Sequence, residues 1–143
     1  MATASYVTNR GLQLLASADF DAIDFRALLI INEVAAATGR DHNFIDAVIT
    51  AGTEATCTGY ARKTLAGITV TESDASDNVT LTAAAPTYTA VAVGEVWEAV
   101  AYYIEGASDA ARVLIGVDTP AATVTTNGGN ITGPALSVTV TGS

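Results

Sequence analysis

The sequence predicts a mainly β chain: an antiparallel β-sandwich, jelly-roll-like, with a short N-terminal helix and one short inserted helix. Three observations predict it. After Gly59, apolar and polar residues alternate with period two over most of the chain, the pattern of strands with one face buried and one wet. About eight such stretches recur at roughly 8–12-residue spacing, separated by turn-forming residues, which is the mark of a sandwich or barrel. The apolar runs Phe25–Ile31 and Arg112–Asp118 have strand length and end in polar residues.

Taken in order, residues 8–18 read as the N-terminal helix, capped by Thr8 or Asn9, with Leu12, Leu14, Leu15 and Ala18 on one side. The acidic stretch Asp19–Asp24 ends it. Phe25–Ile31 is short and almost continuously apolar, as expected of a strand buried on both faces. Val34–Arg40 is an Ala-rich loop. Asp41 then reads as the N-cap of the inserted helix, whose Phe44, Ile45, Val48 and Ile49 share a face and which Gly52 ends. From Tyr60, alternation sets in: Tyr60, Arg62 and Thr64 against Ala61, Lys63 and Leu65; Ile68 and Val70 against Thr69 and Thr71; Val79 and Leu81 against Thr80 and Thr82, with Asp74–Asn78 as the turn between. Pro86 forces a bend or an edge there. Tyr88–Val93 and Val96–Glu105 read as two further strands around Gly94–Glu95. In the second, Trp97, Ala99, Ala101 and Tyr103 face one way and Val96, Val100, Tyr102 and Ile104 the other. Gly106–Ala110 is a turn, Arg112–Asp118 a strand, and Pro120–Gly129 a loop or weak edge strand closed by Asn127-Gly128-Gly129. Leu136, Val138 and Val140 alternate with Ser137, Thr139 and Thr141 in the last strand. No linker or repeat divides the chain, so residues 1–143 read as one domain.

Composition narrows the function classes. Half of the 143 residues are hydrophobic and 15% charged, against roughly 25% in an average soluble domain. With a mean hydropathy of +0.37, intrinsic disorder is excluded, because disordered chains are polar and highly charged. The apolar run Ala27–Ile31 is far shorter than the roughly 20 residues of a spanning helix. Net charge is −9. It is lopsided: five basic and seven acidic residues precede Thr64, while Arg112 alone accompanies eight acidic residues after it. Phosphate neutralisation needs clustered Lys and Arg, and Arg62–Lys63 is the sole adjacent basic pair, so neither nucleic acid nor an anionic membrane is an expected partner. A single cysteine, Cys57, excludes an intrachain disulfide, and Met1–Tyr6 lacks the basic and apolar regions of a secretory signal. Synthesis in a reducing cytoplasm is the expectation.

Active sites need convergent titratable groups. His42, with Asp41 and Asp46 nearby, is a lone histidine without cysteine partners, which is a weak metal or base signal. The groups Asp19, Asp21, Asp24 and Glu72, Asp74, Asp77, Asn78 lack the spacing and central Gly of a calcium loop. Asn78-Val79-Thr80 and Asn130-Ile131-Thr132 match a glycosylation sequon but read as strand and turn. Cys57, without His or Lys beside it, reads as a small, partly buried residue. No catalytic, cofactor-binding or metal-ligating set is expected. Trp97, Tyr102 and Tyr103 fit a core or an interface, and less well a sugar-stacking surface.

One pattern is more specific. Thr8-Asn9-Arg10-Gly11-Leu12, the strand ending Leu28-Leu29-Ile30, Arg40-Asp41-His42-Asn43-Phe44, Thr58-Gly59-Tyr60-Ala61-Arg62-Lys63-Thr64-Leu65 and Val124-Thr125-Thr126-Asn127-Gly128-Gly129 follow one another before a last alternating strand. Together they resemble a family of small virion structural proteins of tailed bacteriophages. Asp-His-x-Phe and Gly-Tyr-x-Arg-Lys are the most specific parts, and Gly133-Pro134-Ala135 departs from an aromatic-rich stretch expected there. The resemblance implies a non-enzymatic β-sandwich on the virion. It would be a capsid decoration (cement) protein that binds the major capsid protein and copies of itself; a tail, neck or baseplate component, with host or glycan binding, is the alternative. Low charge and a high apolar fraction suit a subunit that buries surface in an assembly.

The expected interface residues are Arg62, Lys63, Trp97, Tyr102 and Tyr103. As neighbours on one strand, Arg62 and Lys63 should point to opposite faces. Each has two readings: a salt bridge inside the chain, or an acidic site on a neighbouring subunit.

Overall fold

In the computed structural model, residues 6–8, 10, 23–32, 39–76, 78–119 and 123–141 are described. Among them lie twelve strands and one helix: β1 (Tyr6–Val7), β2 (Phe25–Ile30), α1 (Ile45–Gly52), β3 (Lys63–Thr64), β4 (Thr69–Ser73), β5 (Asn78–Thr82), β6 (Thr87–Tyr88), β7 (Val96–Trp97), β8 (Ala99–Ile104), β9 (Val113–Asp118), β10 (Val124–Thr125), β11 (Ile131–Thr132) and β12 (Ser137–Thr141). Every pairing is antiparallel. The chain is therefore mainly β, as the alternation predicts, with a single helix among the described residues. Of the helix expected over 8–18, only Thr8 and Arg10 are described, the rest lying outside the described residues, and Tyr6–Val7 just before it is a strand.

A five-stranded sheet of order β1-β9-β8-β2-β3 forms the centre. Its three middle strands are apolar on both faces because both faces are covered. Phe25, Ala27, Leu29, Val100, Tyr102 and Ile115 join a core cluster completed by residues of the smaller sheets, including Leu81, Tyr88, Trp97, Ile131, Leu136 and Val138. Leu28, Ile30, Ala101, Tyr103 and Leu114 point the other way and pack with Ile45 and Val48 of α1. A register shift between Tyr102 and Tyr103 leaves Ile115 as an extra residue on β9, a β-bulge. Thr8, fully buried, sits on that bulge: its N–H donates to the Ile115 carbonyl and its hydroxyl to that of Leu114.

The inserted helix begins later than the sequence suggests. Asp41 is not its cap: Phe44 holds the N-cap position without any side-chain hydrogen bond. The free N–H groups of the first turn, those of Ile45 and Asp46, donate instead to the Arg112 and Asp109 carbonyls, at 3.0 and 3.3 Å. A turn distant in sequence does the work of a capping side chain, so no local signal announces the start.

Three small sheets, β12-β5-β4, β10-β7 and β11-β6, complete the fold. Two expectations fail here. The stretch Val96–Glu105 is two strands, not one, since the chain breaks step at Glu98, whose N–H donates to the Ile30 carbonyl at 2.9 Å. Trp97 consequently packs with Val100 and Tyr102 rather than with Ala99, Ala101 and Tyr103. Tyr88–Val93 shrinks to Thr87–Tyr88 because Ala90 turns to φ 51° and gives its N–H to the Asn130 side chain. In β4, alternation holds in register, yet Val70 is 44% exposed, since the edge of the sheet overhangs the core.

Candidate functional site

The basic residues singled out by the sequence sit on one end of the central sheet. Arg62 lies between two carboxylates. It grips Glu54 with two N–H groups, Nε and Nη2, at 2.8 and 2.7 Å, and reaches Asp109 through Nη1 at 2.7 Å. Asp109 also accepts from Arg112 at 2.6 Å. Arg112 continues to Glu105, Glu105 to Arg26 at 2.9 Å, and Arg26 to Asp24 at 2.9 Å. Three guanidiniums thus alternate with four carboxylates in one chain. Bidentate Arg–carboxylate pairing of this kind is geometrically specific and stronger than a point-charge contact. Hydrogen bonds from Arg62, and then from Arg112, hold the Asp109 carboxyl down at about 2. Donating to Glu54 first, and then to Asp109, raises Arg62 above its ordinary value, while the bond from Arg112 lowers Glu105.

This network is tied into the sheet. The Tyr60 hydroxyl donates to Glu54 at 2.8 Å and accepts the Leu29 N–H of β2 at 3.1 Å. Ala55 N–H donates to the Leu29 carbonyl. Strand β3 covers only Ala27 and Arg26 of β2, so Tyr60 and Ala55 satisfy the backbone groups that a longer edge strand would have paired. That is why the alternating stretch Tyr60–Leu65 contributes only two strand residues.

Lys63 takes the other face. Its ammonium lies 6.0 Å from the Tyr88 ring centre, while the Arg62 guanidinium lies 5.8 Å from that of Tyr103. The two side chains diverge as expected of strand neighbours. Tyr60, Tyr88 and Trp97 form an aromatic trio with ring centres 5.5–6.3 Å apart. Beside it, Glu95 accepts from the N–H and hydroxyl of Thr56 at 2.8 and 3.0 Å and from Trp97 Nε1 at 3.4 Å. Burial opposes its ionisation, but hydrogen bonds from Cys57 and Thr56 outweigh this and hold Glu95 at about 2. Burial and the Glu95 charge push the Cys57 thiol up to about 11, which makes it a poor nucleophile.

Of the five residues expected at an interface, Trp97, Tyr102 and Tyr103 are 3%, 2% and 0% exposed. They belong to the chain's own core and offer no surface to a partner. Tyr102 donates to the Pro134 carbonyl. Arg62 has the intrachain salt bridges of the blander reading, and Lys63 is half-buried against Tyr88. Sequence reasoning missed Glu54, Asp109 and Glu95; Asp109 reaches Arg62 across forty-seven residues and Glu95 reaches Thr56 across thirty-nine, while Glu54 lies eight residues before Arg62 outside any strand or helix period.

The two most specific sequence segments turn out to be braces. In Gly59-Tyr60-Ala61-Arg62-Lys63, Gly59 has φ +89° and a Cβ there would meet the Ala90 carbonyl oxygen at 2.5 Å, so only glycine fits this crossing. In Asp41-His42-Asn43-Phe44, the Asn43 carbonyl accepts from Leu114 N–H, and Phe44 bridges to Val113. Among the described residues, no group of three His, Cys, Asp or Glu is placed to hold a metal ion, His42 included. An apolar dimple lined by Leu29, Trp97, Val100, Val124, Ile131 and Pro134 encloses about 10 Å³, room for roughly one water and far below the ~300 Å³ of a small-molecule site. No helix among the described residues is long and apolar enough to cross a membrane. Comparison with known families, with curated proteins and with solved structures gives no match to this chain.

Proposed function

We propose that this chain is a non-enzymatic structural subunit of a tailed-bacteriophage particle, a capsid decoration protein that binds the major capsid protein and adds contact area across the seams between its subunits. The observation that carries the reading is where its two most specific segments lie. Both Gly59–Lys63 and Asp41–Phe44 are spent on bracing the central sheet through ion pairs, a tyrosine bridge and backbone bonds. A catalyst would place such residues around an open cavity; here the arginines are closed against carboxylates. A rigid centre with a hydroxyl-rich outer sheet suits a protein that works by being held in place.

The finer fold reading belongs with this proposal. The first core cluster is filled from one side by the central sheet and from the other by residues of the three small sheets, which supports a two-layered sandwich of jelly-roll type. The interface residues would then be exposed side chains of the outer layer rather than the buried aromatics.

Copy number tests the proposal. Purified virions analysed by quantitative gel densitometry against the major capsid protein should hold this chain at the order of hundreds of copies. A ring of roughly three to twelve copies would assign it to tail or neck instead. Its absence from virions, or equal thermal stability of particles with and without it, would overturn the cementing role.

A further inference from the structure

The three-stranded sheet β12-β5-β4 ends on β4, which has no strand beside it among the described residues. Natural edges are kept from pairing with other chains by shortness, by Lys or Pro, by a bulge or by a covering segment. The edges of the central sheet, β1 and β3, are two residues long. Strand β4, Thr69-Val70-Thr71-Glu72-Ser73, has none of these protections among the described residues, and Glu72 is its one charged side chain. It runs for five residues, pairs with β5 without a bulge, contains no Lys or Pro, and is exposed at four of its five positions.

The direction of its free backbone groups follows from the ladder. Ala83 N–H donates to the Leu136 carbonyl, which continues the register Leu81↔Val138. Antiparallel ladders alternate between bonded and non-bonded pairs. Ala83 and Leu81 therefore bond toward β12, so Thr82, Thr80 and Asn78 bond toward β4. Their partners Thr69, Thr71 and Ser73 point inward, and the N–H and C=O groups of Val70 and Glu72 point out of the sheet.

We infer that β4 pairs antiparallel with β4 of a second copy of this chain, Thr71 lying opposite Thr71 of its mate about a two-fold axis. This register brings Val70 opposite the mate's Glu72, so the outward groups meet as bonded pairs and four backbone hydrogen bonds form. It also sets each Glu72 against a valine rather than another carboxylate, which matters in a chain of net charge −9. It covers Val70, which is 44% exposed and one of the four large hydrophobics exposed among the described residues. The hydroxyl rows also match. Thr80 already meets Thr139 at 2.9 Å, and Thr69 meets Thr82 at 2.6 Å. The pairing extends the row Thr139–Thr80–Thr71 through the two-fold into its copy. The edge is short, so the dimer is of the transient class that buries less than about 1,200 Å². This association stands whether or not the particle assignment does.

Disulfide trapping reads the register directly. Facing residues of a non-bonded pair have Cα atoms about 4.5 Å apart, within the span of a disulfide. In a Cys57→Ser background, Thr71→Cys should oxidise to a covalent dimer of twice 14.5 kDa. Thr139→Cys, on the sheet's opposite edge, should do so at least about ten-fold more slowly, since no ordered pairing holds its cysteines together. Sedimentation of the chain without cysteine changes should show association at concentrations up to roughly 1 mM. Val70→Asp, placed against the mate's Glu72, should weaken it at least about ten-fold, and Val70→Lys should leave it within about three-fold. The proposal is overturned by equal trapping at both positions, by a monomer at every concentration, or by Val70→Lys dissociating the dimer as Val70→Asp does. Unchanged circular dichroism of each variant keeps misfolding out of the reading.

Discussion

The five-stranded central sheet and the outer sheet β12-β5-β4 use the same strand geometry to opposite ends. In the first, Leu28, Leu29 and Ile30 are buried in succession, so both faces are spent on the core, and three arginines and four carboxylates close the end of the sheet. In the second, one row of residues, Leu81 and Val138, is buried, while Thr69, Thr71 and Thr139 stay in water and β4 has no strand beside it among the described residues. The difference teaches where the molecule can change. Covering a sheet on both faces fixes its register and spends its surface; covering it on one face leaves a wall and an edge for other molecules.

The sharpest way to break this contrast is a pair of truncations. Leu29→Ala should cost about 2–5 kcal/mol through lost burial and the cavity left behind, whereas Thr139→Ala on the outer face should cost less than about 0.5 kcal/mol. Urea denaturation compares them; equal losses would mean that the outer sheet carries as much of the stability as the centre. Arg62→Ala comes next. It leaves Glu54 without its cation and Asp109 with Arg112 alone, and about 1–3 kcal/mol should be lost, the range for leaving a partly buried polar group without its partner. Arg62→Lys should recover only part, because an ammonium cannot reproduce the forked contact.

Acid should probe the same division. Asp109 and Glu95 are held at about 2 in the folded chain, against ordinary values of 3.8 and 4.5. Their folded values are depressed, so the stabilisation is fully present above the ordinary values and is lost as pH falls toward 2. Stability should be level from pH 7 to pH 5 and should fall between about 4.5 and 2. Glu95→Gln should be less stable at pH 7 and should show a shallower fall, measured as urea midpoints at each pH. A stability that rises on acidification would remove the ionic end of the sheet from the account. The smallest effect is expected at Tyr88. Its hydroxyl is buried without a hydrogen-bond partner, so Tyr88→Phe should be neutral or stabilising by up to about 1 kcal/mol in thermal unfolding.

The central elements were legible because their signals are local. Phe25–Ile31 is one apolar run between Asp24 and Asn32, Arg112–Asp118 another, and the face of Ile45 and Val48 repeats at helical spacing. What stayed hidden depends on contacts between distant residues. The parity of Trp97 is set by the Glu98 N–H meeting Ile30, sixty-eight positions away. The helix start is set by the carbonyls of Asp109 and Arg112 rather than by Asp41. The opposite directions of Arg62 and Lys63 could be read from the strand period, but their partners could not, since Glu54 precedes Arg62 and Asp109 follows it by forty-seven residues. Trp97, Tyr102 and Tyr103 share the strand spacing of surface and core alike, and only the packing of the small sheets decides that they are inside.

Thr8 on the β9 bulge has a consequence for how the chain is made. Its hydrogen bond to Leu114 closes a loop of 106 residues, and β2 likewise finds its main partner, β8, some seventy residues downstream. Pairings that distant are slow to form, because the entropy of closing the loop is lost before any contact repays it. On the ribosome, the apolar strand Phe25–Ile30 must emerge and wait for its main partner until Ile104 has been added, and during that interval it is exposed to every other nascent copy. The central sheet of a chain built this way closes late in synthesis, and the yield of the chain should rise when synthesis is slowed by lower temperature.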